Sequence, residues 1–151
     1  VAPLLRPGLV GDVGSGAGLP GVVLAIARPD VNFVLIEPME RRVAWLNDQV
    51  AALHLPNVTV VRARAQDTSL THPLDQVTAR AVSAFSKLIP LTAPLLRSGG
   101  ELILMKGEGA EREIEAAAKS IRKYRLRKVE IITLGAGVLP EVTRVIRATV
   151  E

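Results

Sequence analysis

The sequence predicts an α/β protein: a doubly wound, mostly parallel sheet that closes with a C-terminal antiparallel hairpin. Three observations carry that expectation. Short apolar runs bounded by turn residues alternate five times with stretches of helical period, as parallel strands joined by crossover helices do. The first run leads into Gly14-Ser15-Gly16-Ala17-Gly18-Leu19-Pro20-Gly21, with four glycines in eight residues, and then into an apolar stretch over 22–27. The last two runs, 129–134 and 143–150, have only a turn with Gly135, Gly137 and Pro140 between them. That is too short for a crossover, so they pair antiparallel and leave one reversed strand at the edge.

Composition narrows the class. At 151 residues, with 48% hydrophobic and 23% charged side chains, the chain reads as one globular domain with a real core. It has no cysteine, which excludes disulfides, thiolate chemistry and cysteine zinc sites, and its two histidines make a metal centre unexpected. With no run of eighteen apolar residues and no leader pattern, the expectation is a cytoplasmic protein with no membrane partner. The net charge of +4 is unevenly placed. Residues 119–128 hold Lys119, Arg122, Lys123, Arg125, Arg127 and Lys128, which read as a solvated helix end where cations complement the dipole. Arg62, Arg64 and Arg80 follow strand patterns instead, beside the predicted cleft, and suit phosphate binding. Aromatic content of 3% argues against a base-stacking platform.

The elements follow in order. Residues 1–8, with Pro3 and Pro7, form an irregular lead-in to a first strand over 9–13. The helix over 20–27 is stopped by Arg28-Pro29-Asp30. The continuous apolar run 32–36 is a strand covered on both faces and ending at Glu37, and Pro38 opens the next helix. There Val43, Leu46, Val50 and Leu53 recur at helical spacing, Trp45 is assigned to core or helix packing over base stacking, and His54 to the helix end. A third strand spans 58–61, a patternless loop 62–74, and a fourth strand 76–82 with Arg80 near its end. Pro90 and Pro94 break the helical pattern over 83–96 into two pieces, ended by Ser98-Gly99-Gly100. The fifth strand, 101–105, is closed by Lys106-Gly107 before a helix over 108–124.

The glycine turn carries the chemistry. Glycine there takes positive φ and lets the backbone approach a ligand where a side chain would collide. Two cofactor classes fit. Gly16, Gly18 and Gly21 satisfy the dinucleotide spacing G-x-G-x-x-G, with Glu37 near the place of its ribose-binding acid. Asp12, Gly14, Gly16 and Gly18 equally resemble the first motif of S-adenosylmethionine-dependent methyltransferases. A carboxylate at the mouth of strand 1 repels a pyrophosphate but suits a ligand with an ammonium and a sulfonium, and the closing hairpin also favours the methyltransferase sheet. A fragment of a nicotinamide-dependent dehydrogenase and a non-catalytic RNA-binding module remain the rival readings.

With Ala27-Arg28-Pro29, Ala79-Arg80-Ala81-Val82 and Met105-Lys106-Gly107 at their intervals, the chain resembles the bacterial 16S ribosomal RNA guanine-N7 methyltransferases, the glucose-inhibited division protein B family, from about residue 9 to its end. The resemblance implies a Rossmann-like class I methyltransferase fold with S-adenosylmethionine as cofactor. It also implies methylation at N7 of guanine 527, with small-subunit ribosomal RNA or the 30S particle as partner; a monomer is expected, though not from the resemblance. Asp12, Gly14, Gly16, Gly18 and Leu19 would form the cofactor loop, Glu37 would hold the ribose hydroxyls, Ala65 and Gln66 would bracket the adenine, and Arg80 would contact the cofactor. Arg64 and Lys106 would position the RNA, and no residue is assigned as a base. Two departures stand out. Ala79 stands where the family usually has serine before the arginine, and no helical segment of the family's kind precedes the glycine loop in this sequence, so the expectation is either a fragment or a variant short of part of its RNA platform, with a single methyltransferase domain over 1–151.

Overall fold

The computed structural model describes residues 1–80 and 83–151, so the expected end of the fourth strand at Ala81 and Val82 lies outside the described residues. Seven strands, β1 (Leu9–Val13), β2 (Asn32–Glu37), β3 (Val58–Arg62), β4 (Leu74–Arg80), β5 (Leu96–Lys106), β6 (Leu126–Leu134) and β7 (Thr143–Val150), form one sheet in the order β3-β2-β1-β4-β5-β7-β6. Strands β1 to β5 pair in parallel, and β7 is antiparallel to both β5 and β6. The expected reversed strand is therefore present but not at the edge. Burial decides which hairpin strand goes inside: β7 brings Val145, Ile146 and Ala148, all fully buried, against β5. Strand β6 carries exposed Arg127, Lys128 and Glu130, and an edge favours such charged side chains.

Alternation along the strands fills two cores. On β2, Val34 and Ile36 face one side with Leu102 and Leu104 of β5, while Phe33 and Leu35 face the other with Ile103. Helices α1 (Gly21–Ala27) and α2 (Glu40–Ala52) cover the second side through Val22, Leu24, Ala25 and Leu46. Helices α3 (Phe85–Thr92), α4 (Ala110–Ala116) and α5 (Ala118–Lys123) cover the first, with Phe85, Leu88, Ile89, Ala110 and Ala117 buried there. The two phenylalanines, Phe33 and Phe85, thus anchor opposite faces, and truncating either costs about 3–5 kcal/mol.

Several boundaries move for identifiable reasons. Strand β5 begins at Leu96, because Gly99 at φ 80° and Gly100 absorb a register shift against β4 and do not end the element. The helix expected over 108–124 starts only after Gly109, at φ 84°, and divides at Ala117. The two-piece helix at Pro90 and Pro94 is present as α3 and a 3-10 turn, Ala93–Leu95. The lead-in is ordered. It makes a 3-10 turn, Ala2–Leu4, and the fully buried Gln76 of β4 accepts from the Arg6 N–H at 2.9 Å and donates to the Leu4 carbonyl at 3.0 Å. Among the described residues no helix is long and apolar enough to cross a membrane.

Candidate functional site

Strand β1 lies between β2 and β4, so the chain leaves its carboxyl end in one direction while its other neighbour comes from much later in the sequence. Ligands of open α/β sheets settle in the crevice opened at such a reversal. Here the crevice is a cavity of about 800 Å³. Gly14, Ser15, Gly16 and Ala17 form one wall, Met39, Arg41, Arg42 and Trp45 a second, and Arg80 stands at the end of β4. Pockets for small molecules span roughly 300–1,000 Å³, so an elongated nucleoside fits.

The loop glycines divide into two kinds. Gly14 and Gly16 take φ of 71° and 55°, and a Cβ on Gly14 would meet nothing within 4 Å. These two leave backbone open to a ligand. Gly18 and Gly21 serve close packing instead: a Cβ on Gly18 would come 2.5 Å from Val22 Cγ2, and one on Gly21 would come 2.4 Å from Asp12 Oδ2. Gly18 is buried and lies outside the cavity lining, as does Leu19.

Asp12 does not stand at the mouth of the crevice. It is fully buried beneath the loop, where its Oδ2 accepts from the Gly21 N–H at 2.9 Å and from the Ser15 hydroxyl at 2.8 Å. Its Oδ1 has no partner among the described residues. Burial pushes its carboxyl up to about 7, against the opposing hydrogen bonds from Ser15 and Gly21 and the positive charge of Arg80, with Glu37 adding a smaller upward push. The discrimination against a pyrophosphate survives by another route: Asp12 takes the first amide of α1, the group a dinucleotide fold offers to phosphate.

Glu37 is buried too. Its Oε1 accepts from the Gly16 N–H at 2.9 Å and its Oε2 from the Met39 N–H at 2.8 Å, with Arg42 Nη1 at 3.9 Å. The carboxylate joins the glycine loop to the start of α2; each oxygen has capacity for a second hydrogen bond, but Glu37 itself does not line the cavity. Ala65 and Gln66 lie in a 3-10 turn, Ala65–Asp67, tied to β2 by the Ala63 N–H on the Glu37 carbonyl at 3.2 Å. They and the exposed Arg64 border the carboxyl end of β3 without lining the cavity. Of the residues expected at the cofactor, Gly14, Gly16 and Arg80 line it directly.

Lys106 is a correction. Its side chain is 2% exposed, and its Nζ donates to the Ser83 carbonyl at 2.7 Å and to Glu113 Oε1 at 2.9 Å. Glu113 also accepts from the Phe85 N–H at 3.1 Å, so the lysine clamps β5, α3 and α4 together in place of presenting a free cation to RNA. Trp45 is the opposite correction: against the expectation of core or helix packing, it is 44% exposed and lines the cavity. Only Leu46 of α2 is fully buried, with Val43 and Val50 half-buried, and the neighbour of a single inward residue points about 100° away. That narrow stripe was the available signal. Among the described residues no group of three His, Asp or Glu side chains could hold a metal ion.

A crevice at the switch point, open glycines at its wall, a helix terminus closed to phosphate and an antiparallel closing strand together define a class I methyltransferase fold. The chain belongs to the rRNA small subunit methyltransferase G family, GidB, whose model matches residues 2–142. It is 75% identical over 151 residues to the ribosomal RNA small subunit methyltransferase G of Leifsonia xyli subsp. xyli, covering all of this chain and 72% of that protein. To the protein of the same name in Clavibacter michiganensis subsp. michiganensis it is 73% identical over 150 residues, covering 99% and 71%. In fold it is similar to M. jannaschii TYW2, solved in complex with AdoMet, with a TM-score of 0.75 at 22% identity over 98% of this chain and 70% of that one.

Proposed function

We propose that this chain, acting as a single-domain monomer in the cytoplasm, transfers a methyl group from S-adenosylmethionine to N7 of guanine 527 in small-subunit ribosomal RNA. Family membership over 2–142 is the observation that carries the reading. The donor fits the residues present: Gly14 and Gly16 leave backbone open to it, Glu37, which holds the Gly16 and Met39 amides behind the cavity wall, has acceptor capacity left for ribose hydroxyls, and Met39 and Trp45 offer apolar surface. When bound, S-adenosylmethionine supplies a methyl group activated on a positively charged sulfur.

Guanine N7 holds its lone pair in the plane of the ring, so no proton has to leave before the new N–C bond forms and the C–S bond breaks. The protein therefore needs no general base. Its work is to hold N7 in line with the methyl group at near-attack distance. Positive charge passes to the guanine ring, which makes a cation unhelpful at N7 and useful at O6 or at phosphates. Arg80 at the end of β4 serves the O6 side or the cofactor, and exposed Arg64 serves phosphates. The target base has to be presented unpaired or flipped out of its stack.

The test is a thermal-shift titration with S-adenosylmethionine and with NADH, followed by methyl transfer to small-subunit RNA read by borohydride and aniline scission at the modified guanine. Stabilisation by S-adenosylmethionine alone and a cut at one guanine support the reading. Stabilisation by NADH, or methyl incorporation without the cut, overturns it.

A further inference from the structure

We infer that the corner where α5 meets β6 is a second RNA-binding surface, which grips phosphodiester backbone at the end of the sheet away from the crevice. The inference rests on the methyltransferase reading for the identity of the RNA. It stands on a charge imbalance that the crevice does not explain. The whole chain carries +4, and residues 119–128 alone carry +6, with no acidic residue among them; the other 141 residues therefore sum to −2. All of the protein's excess positive charge lies in this one segment. Leu126 pairs with Val150, and Glu101 with Thr149, which places the start of β6 at the amino ends of the parallel strands, whereas the crevice opens at their carboxyl ends.

Local geometry turns these cations outward. Lys119, Arg122, Lys123, Arg125, Arg127 and Lys128 are all exposed. Among the described residues the segment has one ion pair, Arg127 with Glu151, and Lys123 rests 5.6 Å from the centroid of the Tyr124 ring. The helix dipole accounts only for Arg122 and Lys123, in the last turn of α5. Arg125 and Lys128 take φ of 54° and 51°, and the ladder shifts register between Arg127 and Glu130. That bulge leaves Arg127 and Lys128 both exposed, where strict alternation would turn one of them inward. Backbone strain at two non-glycine residues is thus spent where it displays positive charge. None of the large exposed apolar side chains falls in the segment, so it lacks the apolar anchors of a protein interface and suits a polyanion.

The experiment is a fourfold variant, Arg122→Gln, Lys123→Gln, Arg125→Asn and Lys128→Asn, with asparagine chosen because it tolerates positive φ. Binding to small-subunit RNA is measured against salt concentration, together with S-adenosylmethionine affinity and the unfolding midpoint. The expected result is a slope of log K against log salt shallower by about 3, and affinity at low salt reduced about tenfold or more. Cofactor affinity and midpoint stay unchanged. An unchanged slope overturns the inference, whether the variant stays monomeric or aggregates through its uncovered β6 edge. An unchanged slope with lost binding of polyglutamate assigns the corner to an acidic protein and overturns it too. If the unaltered protein shows no salt-dependent RNA binding at all, the methyltransferase reading itself fails.

Discussion

At the carboxyl ends of β1 and β2, two carboxylates, Asp12 and Glu37, are almost wholly buried and held by backbone amides, whereas at the far corner six cations stand in solvent with one acidic partner. Both regions concentrate charge, yet they use it differently. Inside, charge shapes the chain: Asp12 and Glu37 bind the loop that forms the crevice, and their energies are those of desolvated groups. Outside, charge makes one ion pair among the described residues, Arg127 with Glu151, complements the end of α5, and otherwise acts at a distance, screened by salt. Stability should therefore respond to substitutions at the first region and its supports, and ionic-strength dependence to substitutions outside.

The largest effect belongs to the Lys106–Glu113 clamp. Glu113→Ala leaves a buried ammonium with only the Ser83 carbonyl, and should cost about 3–5 kcal/mol in a urea titration while leaving the salt slope of RNA binding unaltered. A changed slope with full stability would return Lys106 to the RNA face. Next comes the titration of Asp12. Its folded value of about 7 lies above the 3.8 of an exposed carboxyl, so between those values the folded protein holds a proton that the unfolded chain has lost. Stability should fall as pH rises through that window, by on the order of 4 kcal/mol in all, and then level off above it. Asp12→Asn should flatten the profile, and an identical slope in the variant would move its origin elsewhere.

Gly21→Ala should cost about 3 kcal/mol, because its Cβ would lie 2.4 Å from Asp12 Oδ2 and 2.5 Å from Leu35 Cδ2. Gly14→Ala, with open space around it, should cost only the backbone strain of about 1–2 kcal/mol yet still weaken cofactor binding. Equal stability losses in the two would erase the division between packing and ligand-facing glycines. Calorimetry on Glu37→Ala should show S-adenosylmethionine affinity lowered by about 1.5–3 kcal/mol for each charged hydrogen bond lost. Unchanged affinity would leave Glu37 a loop brace only. The smallest effect is Arg64→Ala, with no loss of stability and a salt slope reduced by about one unit; an unaltered slope would remove it from the RNA path.

Much of this was legible beforehand. Strand β1 and strand β7 fall where their apolar runs end, the hairpin follows from a turn too short to cross over, and the two-piece helix follows from Pro90 and Pro94. The errors are as instructive. Ser98-Gly99-Gly100 reads as a turn and is a bulge inside β5, because a glycine pair permits either and only the facing strand chooses. Trp45 reads as core or helix packing because it is large and apolar, and Lys106 as an RNA contact through the family resemblance. Each sits where its neighbours on other elements put it.

By itself the sequence determined the alternation of strands and helices, the glycine loop between the first pair, and the family. Those are properties of short spans, where period, turn chemistry and spacing act among residues close along the chain. Tertiary structure alone decided that Asp12 braces the loop from below, that Lys106 is locked in a clamp, that β7 and not β6 takes the inner place, and that the charged corner faces away from the crevice. Each depends on how much water reaches a side chain and which distant backbone group meets it, and neither is set until the sheet has assembled.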